Sequence, residues 1–135
     1  MGAWSEDAFG NDTACDWAGD FAENPGLDLV KTAIDNVLKA EDYLDSDDAC
    51  ECLAACEVIA RLRGNWGLRS AYSDSIDKWV DSTDIVLSED LINHAKKAIE
   101  RILGENSELK ELWDEDGKNE KWHSEMSDLS SRTFG

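Results

Sequence analysis

The apolar residues of the chain recur at intervals of three and four, which places side chains on one face of an α-helix. This spacing predicts helices at about 13–23, 27–43, 47–63 and 88–103, and more weakly at 73–81. A further helix begins at Asn106 or Ser107, and a last short one contains Trp122, Met126 and Leu129. No segment alternates with period two for long enough to require a strand. The sequence therefore predicts an all-α fold, a compact single-domain bundle of about six helices.

The first predicted helix carries its apolar residues at i, i+3, i+4 and i+7, namely Ala14, Trp17, Ala18 and Phe21. Asn11, Asp12 and Thr13 are all candidate N-caps, and Thr13 with Asp16 forms a loose capping box. Asn24-Pro25-Gly26 ends the helix. We expect Trp4 and Phe9 to lie on the bundle beneath this helix and to anchor the N-terminus; the alternative is that Trp4 forms a binding wedge.

The helix predicted at 47–63 is apolar around most of its circumference, which is typical of a central helix. The acidic run Asp45 to Asp48 supplies a break and an N-cap before it. Gly64 stands where a left-handed C-cap is required. The preceding helix, at 27–43, is two-sided, with an apolar stripe from Leu29 to Leu38.

The 135 residues carry a net charge of −18, and the charge is uneven. Residues 1–57 contain 15 acids against two lysines, a net charge of −13, whereas residues 58–135 contain 16 acids against 11 bases, a net charge of −5. The hydrophobic fraction of 41% is sufficient for a folded core. An acidic surface repels nucleic acids and anionic membranes and attracts basic proteins, although solubility alone would also explain it.

One cluster of acids stands out, because no lysine or arginine lies between Lys39 and Arg61. These candidate partner-binding residues are Asp42, Asp45, Asp47, Asp48 and Glu51. Some of this charge compensates the helix dipole, so Asp42 and Asp45 are expected to contribute more to binding than Asp47.

The sequence lacks a membrane-length apolar run and a signal peptide, so a cytoplasmic location is expected. Reduced thiols are then expected at Cys15, Cys50, Cys52 and Cys56. Cys52 and Cys56 share a helix face but Cys50 does not, which favours buried thiols over a zinc site. An EF-hand calcium loop around Gly117 is excluded, because Leu112 and His123 would occupy its first and last ligand positions, where acidic residues are required. No metal and no cofactor are predicted.

No motif of nucleophilic, metal-dependent or phosphate-binding catalysis is present, and the chain is predicted not to be an enzyme. Glu57 and Arg61 are four residues apart, which favours a structural salt bridge. His94 lies at the margin of an apolar stripe, where a half-buried structural imidazole is expected. The enzymatic alternative would assemble an acid/base site from Glu57 and His94.

Several short segments of the chain form a recognisable set: Met1-Gly2-Ala3-Trp4, Phe9, Asn11-Asp12, Ala14, Asp16-Trp17, Ala54 to Ala60, Gly64, Ser107-Glu108-Leu109 and Trp113. In these segments the chain resembles a bacterial family known as domain of unknown function 4259. The likeness spans nearly the whole chain, with Ser5 where the family usually has Gly. It implies a compact bacterial cytoplasmic domain and transfers no activity.

Three hypotheses follow. The first is an immunity protein or antitoxin that neutralises a basic toxin domain, such as a nuclease, by electrostatic complementarity. The second is an enzyme, and the third is a housekeeping or interaction domain whose acidity serves solubility. A neighbouring toxin gene would favour the first hypothesis, and a metabolic operon the second.

Overall fold

The computed structural model describes residues 5–135, and these residues form helices without any strand. The described range contains seven helices: α1 (Asp12–Glu23), α2 (Leu27–Leu38), α3 (Ser46–Leu62), α4 (Asp74–Ser82), α5 (Glu89–Ile102), α6 (Glu108–Trp113) and α7 (Glu120–Phe134). The predicted all-α fold is confirmed.

Helix α3 is the centre of the bundle and contacts all six other helices. Its side chains are buried without interruption from Cys52 to Arg61, as expected for a helix that is apolar around most of its circumference. Gly64 ends it with φ 82°, and Asn65 N donates to Ala60 O at 2.8 Å. This is the predicted left-handed cap.

Helix α1 confirms the predicted apolar face and identifies its cap. Asn11 is the N-cap, and its side chain accepts a hydrogen bond from Ala14 N at 2.8 Å. The capping box predicted from Thr13 is wrong, because the Thr13 hydroxyl donates instead to Asp47 Oδ1 on α3 at 2.9 Å. Trp17 stacks on Phe21 within the core.

The N-terminal segment is described from Ser5 onward. Phe9 is buried with 3% exposure, as predicted, and Cys15 Sγ donates to its carbonyl oxygen at 3.3 Å. Trp4 lies outside the described residues, so its anchoring role stays a prediction.

Helix α2 ends at Leu38, five residues before the predicted end. The chain then leaves the helix to pair with a distant segment. Leu44 N donates to Asn106 O at 2.8 Å, and Glu108 N donates to Leu44 O at 2.9 Å. These two bonds fix the turn before α6 against the segment that leads into α3.

The C-terminal helix α7 contains 15 residues and is longer than the short helix predicted from its three apolar residues. Its buried residues are Trp122, Met126, Leu129 and Thr133. Thr133 extends the buried face because its hydroxyl donates to Leu129 O at 2.7 Å, so it needs no other partner inside the bundle.

Candidate functional site

The predicted acidic cluster lies at the N-terminal end of α3, where Asp45 is the N-cap. Asp45 Oδ1 accepts hydrogen bonds from Asp47 N at 2.6 Å and from Asp48 N at 3.4 Å. Asp45 thus caps its own helix, and Asp47 Oδ1 accepts a hydrogen bond from the Thr13 hydroxyl at 2.9 Å. The expectation that Asp42 and Asp45 contribute more to partner binding than Asp47 stays a prediction.

The cluster continues across the α1–α3 contact. Burial raises the pKa of the Glu51 carboxyl, and the nearby acids Asp48, Asp47, Asp20 and Asp45 raise it further. Burial also raises the pKa of Asp48, with Asp45 and Asp47 adding to the shift. Asp20 belongs to α1, so the electrostatic cluster spans two helices.

We define the acidic face as Asp20, Asp45, Asp47, Asp48 and Glu51. Asp42 is exposed and is not among the charges that raise the pKa of Asp48 or Glu51. Within residues 5–135, no lysine, arginine or histidine forms an ion pair with the acidic face or with Asp42. The described part of the chain thus leaves this charge uncompensated.

A second group of charges lies inside the bundle, around the fully buried side chain of Arg61. Arg61 Nε donates to Asp77 Oδ1 at 2.7 Å, Nη1 donates to Glu57 Oε1, and Nη2 donates to Leu68 O at 2.7 Å. The Ser73 hydroxyl donates to Asp77 Oδ2 at 2.8 Å. The predicted Glu57–Arg61 salt bridge is confirmed.

Arg132 joins this group from α7. Its Nη1 and Nη2 donate to the two carboxylate oxygens of Glu57 at 2.8 and 3.1 Å, and its Nε donates to Asp128 Oδ2 at 2.8 Å. Burial alone would lower the pKa of Arg132, but the Glu57 and Asp128 carboxylates outweigh it and raise that pKa. We call Glu57, Arg61, Asp77, Asp128 and Arg132 the ionic cluster.

Sequence reasoning missed Asp77 and Arg132 as partners in the ionic cluster. Glu57 and Arg61 are four residues apart on one helix, whereas Asp77 lies 16 residues from Arg61 and Arg132 lies 75 residues from Glu57. No pattern in the sequence links these residues. In the structure Gly67 packs against the cluster, and a Cβ atom at this position would lie 2.7 Å from Arg132 Nη1. A side chain at position 67 would collide with the guanidinium group.

The structure does not bring Glu57 and His94 together in a hydrogen bond or ion pair. Glu57 is bound by Arg61 and Arg132, whereas His94 is exposed on α5, contrary to the expected half-burial. His94 lines a cleft of about 280 Å³ with Lys31, Asp35, Ser88, Asp90 and Leu91.

The other histidine closes the loop between α6 and α7. His123 Nε2 lies 3.0 and 2.9 Å from the two carboxylate oxygens of Asp114, which also accepts from Asn119 N at 3.0 Å. Although burial opposes it, the hydrogen bonds from Asn119 N and His123 lower the pKa of Asp114. Hydrogen bonds from Asn119 N and His123 to Asp114 thus hold the loop around Gly117, which the sequence had already excluded as an EF-hand.

The thiols of α3 are buried, as predicted for Cys50, Cys52 and Cys56. Burial, followed by Asp47, Glu51 and Asp45, raises the pKa of Cys50 to about 12. No group of three or more His, Cys, Asp or Glu side chains among residues 5–135 is placed to hold a metal ion. None of the helices in this range has the length and apolar character needed to cross a membrane.

Comparisons with known proteins give one finding. A family model described as "Domain of unknown function (DUF4259)" matches residues 2–125. The comparison with curated proteins gave no match, and neither did the comparison with solved structures.

Proposed function

The chain belongs to the DUF4259 family, and we propose that it is a cytoplasmic, non-enzymatic binding protein that neutralises a basic protein domain. In this proposal the basic domain is a toxin, such as a nuclease, and the chain is its immunity protein or antitoxin. The acidic face is its binding surface.

The observation that carries this proposal is the uncompensated acidic face. Asp48 and Glu51 are half-buried, and each is surrounded by further carboxylates rather than by cations. The neighbouring carboxylates repel one another, and a cationic group of a partner would reduce this repulsion. The net charge of −13 on residues 1–57 extends the attraction beyond contact distance.

The negative charge of the acidic face also limits which molecules can bind it. A surface of this sign repels phosphate backbones and anionic lipid headgroups, so nucleic acids and membranes are disfavoured as direct partners. A nuclease domain must carry positive charge to hold its substrate, and an acidic protein can cover the same surface.

The test is capture of partners on the immobilised protein from a lysate of the native organism, at low salt and again at high salt. We expect basic proteins to be retained at low salt and released as the salt concentration rises. A retained nuclease is then purified, and its activity is measured with and without the captured protein. Stoichiometric inhibition is the expected result.

The binding surface is tested with the triple variant Asp20→Lys, Asp48→Lys and Glu51→Lys, which leaves the Asp45 cap intact. Its matched control reverses the same amount of charge at Asp35, Asp84 and Glu100, which are exposed and form no ion pair within residues 5–135. The first variant should slow association at least about tenfold and flatten its salt dependence. Equal effects of the two variants would show that only net charge matters, and the solubility hypothesis would replace the proposal.

A further inference from the structure

The stretch from the end of α3 through α4 differs in charge from the rest of the chain. Residues 58–82 contain four bases and three acids, a net charge of +1, whereas the remaining residues carry −19. No aspartate or glutamate occurs between Glu57 and Asp74. Two copies of a chain with a net charge of −18 repel each other, and the local repulsion is weakest where these stretches meet.

The exposed charges of this stretch line a cleft of about 320 Å³ between the α3–α4 loop and α4. They are two cations and two acids: Arg69, Lys78, Asp74 and Asp81. Asp77 also lines the cleft, but it is buried and bound by Arg61. The exposed charges around the cleft therefore sum to zero. We define the neutral face as these four exposed residues together with Leu68.

The four exposed charges pair only loosely within the chain. Arg69 Nη2 lies 3.6 Å from Asp81 Oδ1, and Lys78 Nζ lies 2.9 Å from Asp74 Oδ2. Each of the four side chains is more than half exposed. Exposed ion pairs contribute little to stability, so these groups can exchange partners when another molecule approaches.

Leu68 adds an apolar side chain that is 72% exposed and precedes Arg69 in the loop. Its carbonyl oxygen accepts a hydrogen bond from Arg61 Nη2 at 2.7 Å, and the Arg61 side chain is itself buried. The Arg69 guanidinium carbon lies 3.7 Å from the centroid of the Trp66 ring. The loop thus presents Leu68 and Arg69 from a fixed backbone, which lowers the entropic cost of an interface.

We propose that the neutral face is the interface of a homodimer, in which two copies of this chain meet about a two-fold axis. A two-fold interface uses the same surface on both copies, so that surface must be self-complementary. The neutral face meets this condition, because the cations of each copy can pair with the acids of the other. The two Leu68 side chains then lose their exposure to water.

Charge favours a second copy over other occupants of the neutral face. A basic partner is attracted more strongly by the acidic face than by a surface without net charge. An acidic partner of another kind is repelled by the chain as a whole. A second copy is repelled as well, but it supplies both signs of charge at the required positions.

The dimer leaves both acidic faces accessible. The acidic face lies at the N-terminal end of α3, and the α3–α4 loop begins at the C-terminal end of the same helix. A helix of 17 residues is about 25 Å long, so the two surfaces lie at opposite ends of the central helix. The homodimer goes beyond the proposed function and does not depend on it.

The first test is sedimentation equilibrium of the whole chain over a range of protein concentrations, at low salt and at high salt. Dimers should form more readily at high salt, because salt screens the repulsion between two acidic molecules. Leu68→Asp should weaken dimerisation at least about tenfold, because it places a charge at the centre of the interface. The matched control is Tyr43→Asp, which makes the same change of charge at a residue that is 51% exposed and precedes α3, and it should leave dimerisation unchanged.

The second test exchanges the charges of the neutral face. Arg69→Glu/Lys78→Glu makes the face wholly acidic, and Asp74→Lys/Asp81→Lys makes it wholly basic. Each double variant alone should be monomeric at concentrations where the wild type is dimeric, and an equimolar mixture of the two should form dimers. The wholly basic variant should form fewer dimers with the wild type, whose acidic face is the same as that of the wholly acidic variant. Circular dichroism confirms that each variant is folded.

A protein that is monomeric at every concentration and salt would overturn the proposal, as would equal effects of Leu68→Asp and Tyr43→Asp. A mixture of the two double variants that stays monomeric would also overturn it. If the wholly basic variant binds the wild type as well as it binds the wholly acidic variant, the acidic face is the site and the proposal fails. A monomer that inhibits a basic partner would contradict the dimer and leave the proposed function intact, whereas a dimer without such a partner would do the reverse.

Discussion

Removal of the Arg61 side chain should destabilise the protein strongly, because among residues 5–135 it leaves the Asp77 carboxylate with one hydrogen-bond donor, the Ser73 hydroxyl. Glu57 keeps both hydrogen bonds from Arg132. Breaking a buried ion pair by removing one partner costs about 3–5 kcal/mol. The free energy of unfolding of a domain is about 5–15 kcal/mol, so Arg61→Met should lose a large part of it.

The measurement is urea unfolding followed by far-UV circular dichroism. The double variant Arg61→Met/Asp77→Asn should be more stable than Arg61→Met by at least about 1 kcal/mol, because it no longer buries an unpaired carboxylate. As a control, Asp128→Asn breaks an ion pair whose carboxylate is 60% exposed, and it should cost no more than about 1 kcal/mol. The reasoning fails if Arg61→Met unfolds at the wild-type urea concentration, or if the double variant is less stable than the single one.

Three further predictions follow from the same structure. Gly67→Ala should lower the free energy of unfolding by about 1–3 kcal/mol, since its Cβ would collide with the Arg132 guanidinium group, which Glu57 holds in place; the control Gly19→Ala, in open space on α1, should be neutral or stabilising in the same urea assay. The pKa values of the Asp48 and Glu51 carboxyls are higher in the folded protein than in the unfolded chain. At neutral pH both groups are ionised, and their ionised forms destabilise the folded state. This destabilisation disappears as the pH falls below the unfolded pKa of each group. Asp48→Asn/Glu51→Gln should therefore raise the free energy of unfolding at pH 7 by roughly 0.5 kcal/mol, and a gain that did not shrink toward acidic pH would contradict the assignment. With its pKa raised to about 12, Cys50 should react with iodoacetamide at pH 8 about a thousandfold more slowly than an unperturbed thiol, measured by mass spectrometry before and after unfolding in urea; equal labelling rates in the two states would contradict this.

The sequence predicted the ends of helices correctly where a cap residue close in sequence sets them. Ser88, at the predicted start of the fifth helix, caps α5 with its side chain accepting from Leu91 N at 3.2 Å, and Gly64 closes α3 as predicted. The end of α2 was missed because the bonds of Leu44 go to residues more than 60 positions away, and no local pattern encodes them. Helix α7 was underestimated because polar residues such as Thr133 take part in its buried face.

The residues of the candidate site likewise include some that the sequence indicated and others that only tertiary packing brings together. The acidic residues near the start of α3 were visible as a run in the sequence, but Asp20 joins them only because α1 packs against α3. Glu57 and Arg61 could be paired from their spacing, whereas Asp77 and Arg132 could not, because a partner chosen by tertiary packing leaves no trace at a fixed sequence interval. Sequence alone also could not say which residue of the run Asp45 to Asp48 is the N-cap, since several acids in a row compete for that position.

The placement of the arginines supports the proposal that the acidic face serves binding rather than solubility. All five arginines bind within the chain: Arg61 and Arg132 in the ionic cluster, Arg63 on Thr133 O, Arg101 on Glu105 O and Asn106 O, and Arg69 against the Trp66 ring and Asp81. The fold thus pairs all five arginine side chains with groups away from the acidic face, and Arg61 is buried inside the bundle. Solubility requires only dispersed, fully hydrated charges, which the exposed acids elsewhere on the chain already provide. Half-burying Glu51 beside Asp48 and Asp20 costs stability without adding to solubility, and under the proposed function a cation of the partner would offset this cost.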